Sequence, residues 1–525
     1  MTIRGGTVAF VGCRRLLSPW FLIFLACIAA DAAAVWLVPL LPFTDVPFRL
    51  AAATVLRANG DQAADMLRSY YEVRWSLPEP NLLFLFFASS GVAGSVETAA
   101  KLWFGAYVVL FPLSVVLLIR RLNGDQSVSL LALPLVFNFN VAWGFAEFAF
   151  ALPLLLILVA NLASYDRARK PPEILWRAVW LAVLLVVLFG LHVQAMLFAA
   201  LTLLATAVLP GACRHVRFSA AVVLALSAVL LMLWWIRLPG SEQPLGGFLW
   251  EYYTSSYVPT FWKRKGIIIN DNRQLFAGRV GTTLAFALWV IMMMPASVGL
   301  LAGRMSCFKV LLEPGRRLAL LLAGAAVGCG LLLPDRVPGQ PAVFERFGVL
   351  VAVAGIVIGS IVMKGRVSKR ACLVMCLLAV VYTGLRIQYF VSFTRDSDGF
   401  DRAFLPEAGP DAVLAGLIHG SEFRGHPVYI HFPNYFIVWK HGVAVTEMTE
   451  YRFGVIRVAP GAPRLPPSRL FPALDDYSAP APPVRYVLVR GKIPEGAPLL
   501  DEYALEREAG RWQIYGRKGM GASGR

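Results

Sequence analysis

The chain contains few charged side chains for its length. Asp, Glu, Lys and Arg make up 15% of its 525 residues, whereas a soluble globular protein carries about 25%. Hydrophobic residues account for 58% of the sequence, and the mean hydropathy is +0.64. This balance excludes a soluble globular protein and predicts an integral membrane protein. The net charge of +17 is then expected in membrane-flanking loops, not on a nucleic-acid-binding surface.

Cysteine and recognisable site motifs are also scarce. All seven cysteines lie in apolar runs or basic loops, and no paired C-x-x-C spacing is present. We therefore expect no disulfide framework on the outer side and no cysteine-based metal site. The C-terminal part contains neither a phosphate-binding glycine loop nor a nucleophile motif. Function must therefore be inferred from where charged residues stand relative to the apolar runs.

About eleven apolar runs approach the roughly 17–25 residues that cross a bilayer as a helix. The runs are Trp20–Leu41, Ala99–Ile119, Val128–Ala142, Phe145–Ala163, Ile174–Leu191, Val193–Pro210, Phe218–Ile236, Val280–Leu301, Leu318–Leu333, Gly348–Met363 and Ala371–Phe390. Every loop on the same side of the membrane as the N-terminus carries Arg or Lys, for example Arg120 and Arg121. The positive-inside rule therefore predicts a cytoplasmic N-terminus, and basic inner loops are typical of a bacterial inner membrane protein.

Two loops and the C-terminal part then face outward. The first outer loop, 42–98, contains predicted helices at Val46–Ala58 and Gln62–Trp75 that suit the membrane interface. Its apolar segment Asn81–Ala88 is too short to span and is interpreted as a third interfacial or re-entrant helix. The second outer loop is 237–279. The transmembrane domain is thus predicted to occupy residues 1–394.

Residues 395–525 are predicted to form a small soluble α/β domain on the same outer side. Proline and glycine become more frequent there, and the long apolar runs stop. A Pro-rich excursion at Ala459–Pro483 is expected to be irregular. Alternating patterns predict strands at Pro427–Phe432, Tyr435–Val445, Val484–Arg490 and Trp512–Arg517.

The order of these parts is informative. An outer loop opens with an acidic residue in "LPFTDVPFRL", and "ETAAKLWFGAYVVL" leads into the second span. Many further spans and an outer soluble domain follow. This arrangement resembles the GT-C superfamily of polyprenyl-phosphate-sugar glycosyltransferases. The resemblance implies a polytopic all-α membrane fold and transfer of a sugar from a polyprenyl-phosphate carrier to a glycan, lipid or protein acceptor.

The resemblance also implies roles for individual residues. Asp45 matches the acidic residue that acts on the acceptor, and Glu147 in "WGFAEFAFALP" matches a second acidic position. Lys101 matches the contact to the lipid phosphate. Arg49 stands where related loops often have histidine, and Asp45 lacks a neighbouring Glu. This departure leaves open the acceptor and whether a divalent metal takes part; no cofactor is assigned.

Physical chemistry supports the same set of residues. A carboxylate must take the proton of an acceptor hydroxyl, and cations must stabilise the leaving phosphate. His192 and Arg346 stand at predicted outer helix ends, and Lys263 lies in a basic and aromatic cluster of the second outer loop. They are candidate substrate-binding residues, together with Lys101 and Arg49.

Structural roles compete with these functional ones. Asp45 or Thr44 could cap the helix that enters through Pro47, Lys101 could extend to the interface, and His192 could be a turn histidine. Asp31, midway along the first span, is either a polar contact inside the bundle or a site residue.

Two other function classes also stay open, a transporter or lipid flippase and a non-catalytic protein of envelope polysaccharide assembly. The charged side chains gather at the outer boundary, which favours surface chemistry over passage through the membrane.

Overall fold

The computed structural model describes residues 18–59, 65–74, 80–165, 168, 170–210, 212–237, 290, 311–313, 316–333, 336–337, 340–409, 412–449, 454–463, 465–466 and 484–519. Within these ranges the protein is mostly helical, with a small sheet near its C-terminal end. The predicted span Val280–Leu301 and the loop 237–279 with Lys263 lie outside the described residues, apart from position 290 in the span.

Seven of the described helices are long and apolar enough to cross a membrane, which makes the chain a multi-pass membrane protein. They are α1 (Pro19–Leu37), α5 (Val96–Arg121), α7 (Ala146–Tyr165), α8 (Pro171–Leu191), α10 (Arg214–Arg237), α12 (Gly348–Val362, preceded by a 3-10 turn at Glu345–Phe347) and α13 (Lys369–Asp396). Two shorter apolar helices are α9 (Val193–Val208) and α11 (Arg317–Leu332). These helices coincide with predicted apolar runs.

The predicted span Val128–Ala142 departs from a continuous α-helix. It consists of a 3-10 helix, Gln126–Leu135, followed by the four-residue helix α6, Phe139–Ala142. Pro134 lies inside the first segment and cannot donate a backbone hydrogen bond. Asn138 then begins α6, with its side chain accepting from Asn140 N at 3.0 Å. The break turns the chain toward the first outer loop.

The bundle contains one fully buried ion pair in the described helices. Arg386 on α13 donates from Nε and Nη2 to the two carboxylate oxygens of Asp31 on α1, at 2.9 and 2.5 Å. Both side chains are 0% exposed. Asp31 is therefore a polar contact inside the bundle, which resolves the alternative left open by the sequence.

The first outer loop contains α2 (Val46–Ala58), α3 (Asp65–Tyr70), β1 (Tyr71–Val73) and α4 (Leu83–Ser89). The bounds of α2 are those predicted, and protein buries ten of its residues. The prediction of a helix over Gln62–Trp75 was wrong beyond Tyr70. The chain extends there because β1 pairs antiparallel with β6 (Ile456–Val458), a tertiary partner that overrides local helix preference.

The C-terminal part forms a mixed five-stranded sheet of order β5-β4-β7-β9-β8. Its strands are β4 (Val413–Ile418), β5 (Val443–Ala444), β7 (Val484–Arg490), β8 (Tyr503–Ala509) and β9 (Trp512–Arg517). Strand β4 is parallel to β5 and β7, whereas β9 is antiparallel to β7 and β8. The predicted strands Val484–Arg490 and Trp512–Arg517 are confirmed.

Of the two other strand predictions, Pro427–Phe432 was wrong, because it contains no strand. Tyr435–Val445 was wrong over Tyr435–Lys440, which is a helix, α14, preceded by a 3-10 turn at Phe432–Asn434, whereas its end contains the short strand β5. Pro433 starts the turn with its fixed φ angle, and His441 ends α14 in the left-handed region at φ +53°. The helix and turn pack against α2, so this segment faces the first outer loop.

Candidate functional site

The candidate site lies where the N-terminus of α2 meets the turn between α6 and α7. Thr44 N donates to Ala142 O at 3.1 Å, and Asp45 N donates to Trp143 O at 2.9 Å. These backbone bonds hold two segments that are about 100 residues apart in the chain. They bring the two acidic positions of the sequence analysis, Asp45 and Glu147, onto adjoining segments.

Gly144 allows this close approach. Its φ is +75°, and a Cβ at this position would lie 2.9 Å from Asp45 N and 3.0 Å from Val46 N. A side chain here would meet backbone on α2 in addition to adopting a strained conformation. Glycine at 144 is thus needed for the placement of Asp45.

Gly144→Ala is expected to lower the free energy of unfolding by about 1–3 kcal/mol and to reduce activity by displacing Asp45. Gly365→Ala is the matched control, because Gly365 has a similar φ of +70° with nothing within 4 Å of its Cβ. Thermal unfolding of the two purified variants in detergent measures the stability that each one loses. Equal shifts for the two variants would show that the contact with α2 is unimportant.

Asp45 does not cap the helix with its side chain. It occupies the N-cap position of α2, but its carboxylate makes no capping hydrogen bond. The side chain is 20% exposed, and its Oδ1 lies 3.5 Å from His431 Nε2. Thr44 does not cap α2 through its hydroxyl either; Thr44 Oγ1 contacts His426 Nε2 at 2.9 Å. The carboxylate of Asp45 is therefore partly exposed and makes no capping bond to α2.

Arg49 and Glu147 form the second part of the site. Arg49 Nη1 lies 3.3 Å from Glu147 Oε1, and the side chains are 24% and 1% exposed. Arg49 lies one helical turn after Asp45, so the two residues lie on the same face of α2 near its start. The charges of Arg49, Arg346 and Asp45 all act on Glu147. The buried carboxylate thus pairs with an arginine whose side chain is partly exposed.

Arg346 and His192 form the buried floor of the site. Arg346 Nη1 donates to His192 Nε2 at 2.7 Å, and the guanidinium carbon lies 4.0 Å from the centroid of the Phe145 ring. Both residues are buried. Burial and then the charge of Arg346 lower the pKa of His192 well below its usual value, so the imidazole is neutral and accepts from Arg346. A fixed positive charge thus lies behind Glu147.

One predicted substrate-binding residue, Lys101, is directed away from this cluster, and another cannot be located in the described part of the chain. Lys263 lies outside the described residues. Lys101 is on α5, where Glu97 is its charged neighbour one turn earlier. Trp103, two residues on, donates from Nε1 to Ala146 O at 2.9 Å. Because two residues on a helix point about 200° apart, Lys101 is directed away from the start of α7.

The sequence analysis missed two histidines of the C-terminal part. His431 lies against Asp45, and His426 contacts the segments that carry both acidic residues. A signal was present, because four of the six histidines of the chain lie between positions 419 and 441. Clustered histidines in an outer domain are worth testing as site residues.

His426 joins the two loops of the site. Its Nε2 donates to Ala142 O at 2.8 Å and contacts Thr44 Oγ1 at 2.9 Å. A carbonyl can only accept, so Nε2 carries the proton. Burial lowers the pKa of His426 from 6.5 to about 4, which keeps the ring neutral near pH 7.

Acidification is therefore expected to destabilise the protein through His426. The folded state resists protonation until about pH 4, whereas the unfolded chain binds the proton near pH 6.5. Stability from this group is full above pH 6.5 and is lost as the pH falls toward 4, by roughly 3 kcal/mol at most. Thermal unfolding followed over about three pH units, from roughly pH 7.5 to 4.5, measures this loss of stability. The glutamine of His426→Gln can donate a hydrogen bond but does not titrate, so the stability of this variant should depend less steeply on pH. An unchanged pH dependence would contradict this role.

The described cations of the site are the side chains of Arg49 and Arg346. Across the described residues, no group of three or more His, Cys, Asp or Glu side chains is placed to hold a metal ion. Glu147, the buried carboxylate, is already engaged by Arg49. Positive charge at this site is therefore supplied by Arg49 and Arg346.

Comparisons with known proteins bear on the fold. No protein-family model and no curated protein sequence matches the chain. The chain is similar to the crystal structure of ArnT from Cupriavidus metallidurans bound to undecaprenyl phosphate, with 13% identity, coverage of 97% of this chain and 98% of that one, and a TM-score of 0.53. An Archaeoglobus fulgidus oligosaccharyltransferase tethered to an acceptor peptide aligns over 91% of this chain and 70% of its own, at 10% identity and a TM-score of 0.40. The likeness to ArnT extends over nearly the whole chain, so the protein has the GT-C fold.

Proposed function

We propose that the protein is an integral membrane glycosyltransferase that moves a sugar from a polyprenyl-phosphate carrier to an acceptor hydroxyl on the outer side of the membrane. One observation carries this proposal: Asp45 and Arg49, a carboxylate and a cation, are partly exposed on one turn of α2 above a buried charged floor. Sugar transfer needs this pair, a base for the acceptor and a cation for the phosphate.

The reaction assigns a role to each group. Asp45 takes the proton of the acceptor hydroxyl, whose oxygen forms a bond to the anomeric carbon of the sugar. The bond between that carbon and the phosphate oxygen breaks, and the phosphate keeps the electron pair. Arg49 stabilises the growing negative charge. The products are a glycoside, a polyprenyl phosphate and a protonated Asp45 that returns its proton to water.

The buried residues position the exposed ones. Glu147 holds the guanidinium of Arg49 through Nη1. Arg346, fixed by His192 and by the ring of Phe145, adds positive charge behind the carboxylates. A phosphate near Arg49 would gain from both cations because charges interact strongly away from bulk water.

The fold supports the choice of carrier. ArnT, which shares the GT-C fold with this chain, was crystallised with undecaprenyl phosphate. We infer that this chain uses a related lipid. The basic loops at the predicted inner side favour a bacterial inner membrane with a cytoplasmic N-terminus and the C-terminal domain in the periplasm.

Donor consumption tests the proposal. Membranes that contain the overproduced protein are incubated with undecaprenyl phosphate carrying tritiated glucose, mannose, arabinose or N-acetylgalactosamine. We expect one donor to lose label to an acceptor while undecaprenyl phosphate is released in equal amount. Movement of intact donor across the membrane without consumption would instead indicate a flippase. Absence of both with every donor would contradict the proposal and favour a non-catalytic role.

Arg49 is expected to bind the carrier phosphate more strongly than Lys101 does. Arg49→Gln should weaken binding of undecaprenyl phosphate about tenfold, in line with a charge-assisted hydrogen bond worth about 1.5–3 kcal/mol. Lys101→Gln is expected to change it less than threefold, because Lys101 points away from the start of α7. Titration of tryptophan fluorescence in nanodiscs measures both. A larger effect at Lys101 would move the phosphate site to α5.

A further inference from the structure

His431 stands opposite Asp45 and comes from the C-terminal part of the chain. Its Nε2 lies 3.5 Å from Asp45 Oδ1, and its ring lies 5.5 Å from the ring of Phe48. The His431 side chain is 10% exposed and that of Asp45 is 20% exposed.

The position of the C-terminal part against the first outer loop is fixed by several bonds. Strand β1 of the loop pairs with β6, and Tyr71 Oη donates to Ala444 O at 3.1 Å. Trp439 Nε1, on α14, donates to Glu97 Oε1 at 2.9 Å. The part of the chain that follows His431 is thus held against the first outer loop.

A second anchor lies five residues before His431. His426 bonds to Ala142 O and contacts Thr44 Oγ1, next to Asp45. The backbone also turns tightly after His431, since Asn434 N donates to His431 O at 3.0 Å. His431 therefore cannot move far from Asp45 without breaking contacts that also shape the site.

We propose that His431 is a positioning residue for the transfer reaction and that the C-terminal part completes the active site. The inference rests on the proposed function. A carboxylate only accepts hydrogen bonds, so in this proposal His431 Nε2, now 3.5 Å from Asp45 Oδ1, is the donor when the two atoms approach. This bond tightens when the acceptor is bound and leaves Asp45 Oδ2 directed at the acceptor hydroxyl. The C-terminal part is then a component of the reacting centre and not a separate binding module.

Two substitutions separate hydrogen bonding from packing. His431→Gln retains a donor near the position of Nε2, whereas His431→Phe retains a ring against Phe48 without a donor. His419→Gln is the matched control, because His419 is an exposed histidine of the same domain.

Steady-state transfer from the donor found active with the parent protein gives the first readout. We expect His431→Phe to lower kcat about 100-fold with KM changed less than threefold, and His431→Gln to stay within about fivefold of the parent. His419→Gln should match the parent. Equal losses in the Gln and Phe variants, or a loss confined to KM, would overturn the proposal.

A second readout does not depend on activity. Thermal unfolding in detergent is compared for Asp45→Ala, His431→Phe and the double variant. If the side chains interact, the double variant loses less Tm than the sum of the single losses. Additive losses would refute the contact even if the parent transfers sugar. Non-additive losses with no active donor would leave the contact in place and refute the glycosyltransferase function.

Discussion

Asp45→Asn is expected to lower kcat for sugar transfer by about 10²–10⁴-fold while leaving the binding of undecaprenyl phosphate within threefold of the parent. Asn has the same shape as Asp but cannot accept the acceptor proton. The carboxylate makes no capping bond to α2, so the substitution removes no support from the helix. Initial rates with the active donor and fluorescence titration with the carrier measure the two quantities.

Asp65→Asn is the control for this experiment. Asp65 lies in the same outer loop, is 86% exposed and pairs with Arg68 on the surface of α3. Its substitution should leave kcat unchanged, since exposed ion pairs contribute little. An active Asp45→Asn protein would remove Asp45 from the mechanism, and parallel loss of carrier binding would indicate a damaged fold.

Asp31→Leu is expected to reduce the stability of the membrane domain by about 3–5 kcal/mol. The change leaves Arg386 charged with its main partner gone, in a position that is 0% exposed. Removing one member of a buried pair is costly because the remaining charge is uncompensated. Thermal unfolding in detergent should show a lower Tm than the parent.

The double variant Asp31→Leu/Arg386→Met distinguishes loss of the pair from an uncompensated charge. It should recover most of the Tm lost in Asp31→Leu, since apolar side chains of similar volume can replace a buried pair. A double variant no more stable than the single one would mean that the uncompensated charge is not the cause of the loss.

Local features of the structure were predictable from local sequence. The bounds of α2 follow from Pro47 near its start and the apolar stripe through Ala52 and Val55. Strand β7 follows from the alternating pattern in Val484–Arg490. The acidic positions Asp45 and Glu147 followed from a resemblance in the order of parts, and the structure brings their segments together.

Long-range contacts were not predictable in the same way. His426 and Thr44 are 382 positions apart, and Arg386 and Asp31 are 355 apart. No periodicity in one sequence encodes such pairs, because they depend on how whole elements pack. The strand β1 shows the same effect, since a partner far along the chain decides its conformation. His431 therefore required the structure.

The position of the carrier phosphate tests the central claim most directly, that sugar transfer occurs at the Asp45 cluster. Electron cryomicroscopy of the full-length protein in nanodiscs with undecaprenyl phosphate would locate it. We predict phosphate density about 2.7–3.2 Å from the guanidinium of Arg49, on the side that faces Asp45. Density instead beside Arg120 and Arg121, at the opposite end of α5, would contradict the account.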